Sequence, residues 1–290
     1  MLQIILFVIF VLLCLQDITN LILMLFLHWG VSPEIFRIGG FALRYYSLGF
    51  MLAFVASYMI LRYVFRRERQ SREMLNRLLV YIITGTLLGA RLGHCLFYDW
   101  AYYREHLWEI ILPFTFSGGQ FTFTGYQGLA SHGAAIGIVL ASVLFSYRFR
   151  VPLMWLLDHL ALVVPLAGAL IRTGNFFNSE IIGTPATLPW AVVFTRVDDI
   201  PRHPAQLYEA LAYLLIFGWL WFLYRHRPEP GKLFGWLLTG VFSARFLIEF
   251  VKENQVAFEA GHLLDMGQLL SLPLIVLGIY FLIFYKQRYG

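Results

Sequence analysis

The feature that most constrains this chain is a series of apolar stretches, each long enough to cross a lipid bilayer. They lie at about 43–65, 78–98, 128–147, 153–177, 206–224, 233–251 and 267–285. Because a bilayer offers the backbone no water, such stretches must close their hydrogen bonds internally, as α-helices do. Hydrophobic residues make up 59% and charged residues 13% of the chain, too little polar surface for a water-soluble globule. The sequence therefore predicts an all-α, polytopic membrane protein with about seven transmembrane helices.

Basic residues gather at alternate ends of the predicted spans and so indicate the orientation of the chain. They occur in 66–72, at Arg148 and Arg150, in 225–232, and at Lys286 and Arg288. Because Lys and Arg are enriched in cytoplasmic loops, we expect these ends in the cytoplasm, with the core's N-terminus outside and the C-terminus cytoplasmic. Contact with anionic membrane lipids then explains the net charge of +5, and a nucleic-acid partner is not expected.

Residues 1–27 form a further apolar stretch that is set apart from the rest. Gln16, Asp17 and Asn20 interrupt it, and without a preceding basic residue or a clear cleavage site it makes a poor signal peptide. It is either an extra N-terminal helix or the product of a start assigned upstream of Met24. Residues 28–290 are predicted to form a single transmembrane domain.

Three arginines lie within the spans, namely Arg91, Arg172 and Arg245. The carboxylates available to them are Glu180, Glu209 and Glu249. A charge in the bilayer costs about 2.5–3.5 kcal/mol even on lenient scales, so each arginine needs a partner or a function. One reading is structural pairing, with Arg245 and Glu249, four residues apart, as one ion pair. The other is an anion site, because a guanidinium fork matches the phosphate oxygens of a phospholipid headgroup.

The densest polar segment of the chain follows Arg172, at the end of a long apolar stretch. It contains Gly174, Asn175, Asn178 and Glu180. Gly174 permits close approach of backbone or lipid, and the other three side chains offer hydrogen bonds where water is scarce. Alternatively, the asparagines and the glycine simply form the C-terminal cap and turn of a helix.

His132 stands near the start of a span rich in small residues, beside Gly133. Small residues permit close helix packing, which makes a hydrogen-bonded packing histidine one reading. The other is a general base, since the ordinary pKa of histidine suits proton removal near neutral pH. The remaining histidines lack metal-ligand spacing and no Gly-rich nucleotide loop occurs, so neither a metal nor a cofactor is expected.

At these residues the chain resembles the prolipoprotein diacylglyceryl transferase family. The resemblance rests on 172–180, which matches the family pattern Gly-Arg-x-Gly-Asn-Phe-x-Asn-x-Glu, and on 44–47, 89–93, 132–133, 202–209, 245–249 and 266–268. It covers about residue 28 to the end. Departures are Ile171 for the usual glycine, Ala134 in the family's His-Gly-Gly, and Val241 where a tyrosine is expected.

The resemblance implies that residues 28–290 are a catalytic domain in the bacterial cytoplasmic (inner) membrane. Its reaction would move the diacylglyceryl group of phosphatidylglycerol to the lipobox cysteine of a prolipoprotein signal peptide, forming a thioether and releasing glycerol phosphate. By the same resemblance, the phosphate would be held by Arg172 and Arg245 and the headgroup positioned by Asn175 and Glu180.

Further assignments complete the predicted site. His132 is the candidate base, although a nearby arginine lowering the thiol pKa is an alternative. Asn178, Tyr46 and Arg91 are further expected lipid ligands, and Glu209, Glu249, Gly174 and Gly133 are expected to support the site.

Two other classes of protein compete with the transferase. A transporter or channel for an anionic solute would also place arginines inside a helical bundle. However, no internal repeat is visible, and the polar signatures differ in every span. A noncatalytic membrane scaffold explains the spans but not the arginines beside Asn175 and Glu180.

Overall fold

A computed structural model describes residues 26–38, 41–112, 114–117, 120–123, 128, 130–253 and 264–285. Residues 1–25, nearly all of the predicted N-terminal extension, lie outside the described residues. The helices of the described part are α1 (Tyr45–Arg67), α2 (Arg72–Phe97), α3 (Trp100–Tyr103), α4 (Trp108–Ile111), α5 (Ser131–Phe149), α6 (Leu153–Asn178), α7 (Ala205–Arg225), α8 (Lys232–Glu249) and α9 (Met266–Ile283). The strands are β1 (Leu27–His28), β2 (Glu34–Ile38), β3 (Phe41–Arg44), β4 (Phe114–Ser117), β5 (Gln120–Phe123), β6 (Val192–Val193) and β7 (Pro201–Arg202).

Each apolar stretch in the sequence corresponds to one long helix. Six of these helices, α1, α2, α5, α6, α7 and α9, are long and apolar enough to cross a membrane. The seventh, α8, has 18 residues but includes Lys232, Arg245 and Glu249. Large apolar side chains remain exposed along the helices, for example Met59 at 65% and Leu215 at 67%, as expected for surfaces that face lipid rather than water. The prediction of an all-α, multi-pass membrane protein is confirmed.

Short strands join the helices, a feature that the apolar pattern did not predict. β2 pairs with β3 and β4 with β5 as antiparallel hairpins. β6 pairs with β7 in an antiparallel arrangement and with β1 in a parallel one, with Leu27 opposite Val192. Each strand has two to five residues, too few for a recognisable alternation of apolar and polar side chains.

The chain divides into two compact units, 1–57 with 161–290, and 58–160. In the second unit, α2 and α5 pack along facing glycines. A Cβ added at Gly89 would lie 2.3 Å from the carbonyl oxygen of Gly133, and one at Gly137 would lie 2.0 Å from that of Gly85. The predicted role of small residues in close helix packing is confirmed here. The prediction of one catalytic domain over 28–290 stays a prediction.

In the first unit, the connection from α6 to α7 is fixed to the chain that follows α8. Gly183 and Lys252 form a β-bridge, the amide of Thr184 donates to the carbonyl of Val251 at 2.9 Å, and the amide of Glu253 donates to that of Ile182 at 3.2 Å. An apolar cluster of Phe176, Ile182, Val192 and Phe194 in the same unit packs against Trp29. The backbone at the end of α6 is therefore held in place relative to the end of α8.

Candidate active site

The polar segment predicted from the sequence lies where α6 ends. The helix closes at Asn178, and the amide of Glu180 donates to the carbonyl of Asn175 at 3.0 Å. Ser179 and Ile181 have φ values of 58° and 57°, in the left-handed region that L residues rarely adopt. The fully buried Gln206 secures this turn by donating from Nε2 to the carbonyl oxygen of Glu180 at 2.5 Å. The segment therefore forms the C-terminal end and turn of a helix, which was one of the two readings of the sequence.

The side chains of this turn form a continuous series of hydrogen bonds. Arg172 donates from Nη1 to Oδ1 of Asn175 at 3.2 Å, and Asn175 donates from Nδ2 to Oε2 of Glu180 at 3.0 Å. Asn178 donates from Nδ2 to the other carboxylate oxygen, Oε1, also at 3.0 Å. Asn175 is buried, whereas Glu180 is exposed. Two amides therefore fix the direction of a carboxylate that remains accessible.

A second series of contacts joins α6, α7 and the end of α8 through buried charges. Arg172 forms an ion pair through Nε with the carboxylate of Glu209, which has no exposed side-chain surface. Lys252 places Nζ 3.3 Å from Oε1 of Glu209 and 2.9 Å from Oε2 of Glu249. The structural reading of the sequence is therefore correct for Arg172 and Glu209, which pair with the carboxylate fully buried and the guanidinium partly exposed.

Arg245 differs from Arg172 and Lys252, which both contact carboxylates. The ion pair with Glu249, which one reading of the sequence offered, does not form, and the Glu249 carboxylate is paired with Lys252 instead. Among the residues that the structure describes, Arg245 has no carboxylate within ion-pair distance. Arg245 and Arg172 both lie within electrostatic range of Tyr213 on α7. Arg172 and Arg245 thus both interact with Tyr213, and among the described residues only Arg172 is paired with a carboxylate, that of Glu209.

Tyr213 packs beside Val241, the position at which the family pattern has a tyrosine. It is buried with Ala169 and Ala210, and Val241 packs against this cluster. Its hydroxyl interacts electrostatically with Arg172 and Arg245. A hydroxyl beside the arginines is therefore available from α7, although α8 carries valine at position 241.

Two glycines leave space for predicted site residues: Gly174 for Tyr46 and Gly267 for Glu249. A Cβ at Gly174 would lie 3.0 Å from the Cα of Tyr46, so the start of α1 packs closely on the end of α6. Tyr46 lies within electrostatic range of both Glu180 and Arg172. At the start of α9, a Cβ at Gly267 would lie 2.6 Å from the carboxyl carbon of Glu249. Gly267 therefore leaves the space that the Glu249 carboxylate occupies.

Arg91, His132 and Gly133 belong to the second unit and are described there. Arg91 is buried, donates to the carbonyl oxygens of Glu109 at 2.5 Å and Ile110 at 3.1 Å, and lies over the ring of Tyr103 at 4.9 Å. His132 is exposed in the first turn of α5, next to the tightly packed Gly133. Arg91 thus has a structural role, and its predicted contact with lipid and the predicted base His132 stay predictions.

The sequence reasoning missed Lys252, Tyr213 and Gln206 as members of the site. Tyr213 is four residues after Glu209 on the same helix, a spacing that places both on one face. Lys252 is three residues after Glu249 but beyond the end of α8, so helical periodicity gave no signal for it. In the described residues, no group of three or more His, Cys, Asp or Glu side chains is arranged to hold a metal ion.

Comparisons with known proteins show the family to which the chain belongs. A family model described as prolipoprotein diacylglyceryl transferase matches residues 33–284. A phosphatidylglycerol–prolipoprotein diacylglyceryl transferase of Bacteroides fragilis is 44% identical over 270 residues, covering 92% of this chain and 98% of the relative. Proteins of the same name from Chloroherpeton thalassium and Tolumonas auensis are each 42% identical, covering 88% and 87% of this chain and 92% and 95% of their own lengths. The chain is therefore a transferase that belongs to the prolipoprotein diacylglyceryl transferase family.

Proposed function

We propose that this protein moves the diacylglyceryl group of phosphatidylglycerol to the lipobox cysteine of prolipoproteins, with its site in the outer half of the bacterial cytoplasmic membrane. The basic ends of the helices, including Arg66, Arg67 and Arg225, support a cytoplasmic location for the opposite side. The core's N-terminus would then lie outside and the C-terminus in the cytoplasm.

The proposal is carried by Arg245, which has no carboxylate within ion-pair distance among the described residues and, like Arg172, lies within electrostatic range of Tyr213. A guanidinium group without a carboxylate is costly in a membrane unless an anion completes the site. Arg172 has five N–H donors, so its contacts with Asn175 and Glu209 do not exhaust them. The phosphate of phosphatidylglycerol supplies the missing negative charge, and both arginines suit its oxygens.

The hydrogen-bonded turn at the end of α6 is suited to the glycerol part of the headgroup. The Glu180 carboxylate is oriented by Asn175 and Asn178 and can accept hydrogen bonds from headgroup hydroxyls. Tyr46 lies within electrostatic range of Glu180 and would contact the same headgroup. Arg91 remains a proposed further ligand of the lipid.

The reaction requires a thiolate and a stabilised leaving group. The cysteine thiol loses its proton, its sulfur attacks the diacylglyceryl carbon next to the phosphate, and the carbon–oxygen bond breaks to release glycerol phosphate. Arg172 and Arg245 would stabilise the extra negative charge on the departing phosphate. His132 would take the proton, or the arginines would lower the thiol pKa enough for it to leave to water.

Both substrates reach this site within the bilayer. The lipid is a bilayer component, and the signal peptide of a prolipoprotein is itself an apolar helix. Lateral openings between the helices would therefore admit each of them. The alternative of a transporter or channel for an anionic solute is not supported, since the matching family and relatives are transferases.

The direct test is to incubate the purified protein with phosphatidylglycerol and a lipobox peptide. We expect a peptide heavier by one diacylglyceryl group, joined through a thioether, together with free glycerol phosphate. A lipobox peptide with serine in place of cysteine should remain unmodified. An unmodified cysteine peptide, combined with flux of an anionic solute through reconstituted vesicles, would overturn the proposal in favour of transport.

A further inference from the structure

The ion pairs of Lys252 explain why Arg245 stays available. Lys252 is buried, with 4% of its side chain exposed, and its ammonium group contacts two carboxylates, those of Glu209 and Glu249. Glu249 and Arg245 have the spacing of an ion pair on one helical face. Because Lys252 engages Glu249 at 2.9 Å, that carboxylate is held away from Arg245.

The backbone fixes Lys252 in this position independently of its side chain. The backbone of Lys252 forms the β-bridge with Gly183, and its amide donates to the carbonyl of Glu249 at 3.1 Å. Gly267 provides the space for the Glu249 carboxylate on the neighbouring helix. The geometry is therefore built to direct Glu249 toward Lys252.

We propose that Lys252 is a positioning residue that withdraws Glu249 from Arg245 and so preserves Arg245 as a binding group for the substrate phosphate. Lys252 itself acts through these carboxylates and need not touch the lipid. The inference rests on the proposed function, because it concerns the same phosphate site. It adds a residue to which the sequence analysis assigned no role.

The balance of charges around Glu209 and Glu249 explains how Lys252 keeps Arg245 free for the phosphate. Lys252 and Arg172 together surround the buried Glu209, so Glu209 is neutralised without Arg245. Without the Lys252 ammonium, Glu249 would lose its only cationic partner among the described residues and would turn to Arg245, four residues away. The phosphate would then compete with a carboxylate for the Arg245 guanidinium.

The test compares Lys252→Met, Lys252→Arg, Glu249→Gln and the double variant Lys252→Met with Glu249→Gln. Transfer to a lipobox peptide is measured in detergent micelles with increasing mole fractions of phosphatidylglycerol. We expect Lys252→Met to raise KM for the lipid about tenfold with a smaller change in kcat, as when a hydrogen bond to a charged group is lost. Lys252→Arg keeps the charge, so its KM should stay close to that of the unmodified protein.

The double variant distinguishes positioning from a general structural role. Removing the Glu249 charge as well leaves Arg245 without a competitor, so KM should return close to the value of Glu249→Gln alone. A double variant with a KM as high as that of Lys252→Met would overturn the inference. So would an unchanged KM in Lys252→Met.

If Lys252→Met does not accumulate, Lys252→Arg decides, since a tenfold higher KM with the charge retained contradicts the inference. Failure of the unmodified protein to form any thioether would instead count against the proposed function. Transfer by the unmodified protein together with unaltered lipid binding in the Lys252 variants would count against the positioning role alone.

Discussion

Asn175 and Glu180 are joined across the end of α6 by a hydrogen bond of 3.0 Å from the amide Nδ2 to the carboxylate Oε2. The same asparagine accepts from Arg172, so it links a cation to an anion five residues beyond it. Asn175→Asp would replace the donor with a second carboxylate, and repulsion would turn Glu180 away. We expect transfer activity to fall at least about tenfold, the cost of one charge-assisted hydrogen bond. The matched control is Asn76→Asp, an exposed position in the other unit, which should keep full activity.

Arg172 is expected to be required for transfer but not for insertion. Arg172→Ala should abolish measurable transfer, with a loss of about 100-fold or more as for other groups that stabilise a charged transition state. Arg172→Lys would retain the pairing with Glu209 but lose the planar fork, and should be impaired to an intermediate degree. Membrane fractionation and thioether formation measure the two properties separately. Normal lipidation by Arg172→Ala would contradict the assignment, and the exposed Arg77→Ala serves as control.

Glu209 should contribute mainly to stability. It is fully buried between Arg172 and Lys252, so Glu209→Gln leaves two cations without their shared anion. We expect a loss of about 3–5 kcal/mol in the free energy of unfolding, the usual cost of breaking a buried pair. Thermal unfolding in detergent gives the comparison. Glu73→Gln removes the exposed pair with Arg77 and should change stability by less than about 1 kcal/mol.

The contact of α2 with α5 should not tolerate a methyl group. Gly89→Ala would place a Cβ 2.3 Å from the carbonyl oxygen of Gly133, so the helices must separate. We expect destabilisation of about 1–3 kcal/mol, measured as a lower Tm. Gly218→Ala on α7 is the control, because its Cβ would meet no atom within 4 Å. Equal Tm values for the two variants would contradict the packing described for α2 and α5.

The pair of Asp198 and Arg202 predicts an acid-sensitive contribution to stability. The hydrogen bond from Arg202 lowers the pKa of Asp198 below its ordinary value of 3.8, and this outweighs the opposing effect of burial. A carboxyl with a lowered pKa stabilises the folded state above about pH 3.8, and the effect is lost as pH falls through the lower folded value. Asp198→Asn should therefore lower Tm at neutral pH, with a difference that shrinks below this range. The exposed Asp199→Asn is the matched control and should leave Tm close to that of the unmodified protein.

Hydrophobicity alone located the helices well, because each span must be apolar over about 20 residues. The predicted span 43–65 corresponds to α1 at Tyr45–Arg67, and 206–224 to α7 at Ala205–Arg225. The family pattern at 172–180 also located the hydrogen-bonded turn at the end of α6. These features depend on residues near one another in sequence, which is why the sequence was sufficient for them.

The charge partners were harder to predict, since they depend on contacts between distant segments. Lys252 reaches Glu209 because the chain after α8 pairs with residues 182–184, a contact that helical spacing does not encode. The reading that paired Arg245 with Glu249 followed local spacing alone, and this pair does not form. The parallel pairing of Leu27 with Val192 was likewise beyond the reach of local patterns.

The left-handed backbone at Ser179 and Ile181 has a consequence for how the lipid binds. A non-glycine residue in this conformation is unfavourable by itself, so the surrounding contacts must compensate during folding. The orientation of Glu180 is thus set by the fold itself, so in the proposed reaction phosphatidylglycerol would not need to order the turn. Association would then lose less conformational entropy, and more of the contact energy would remain available as affinity.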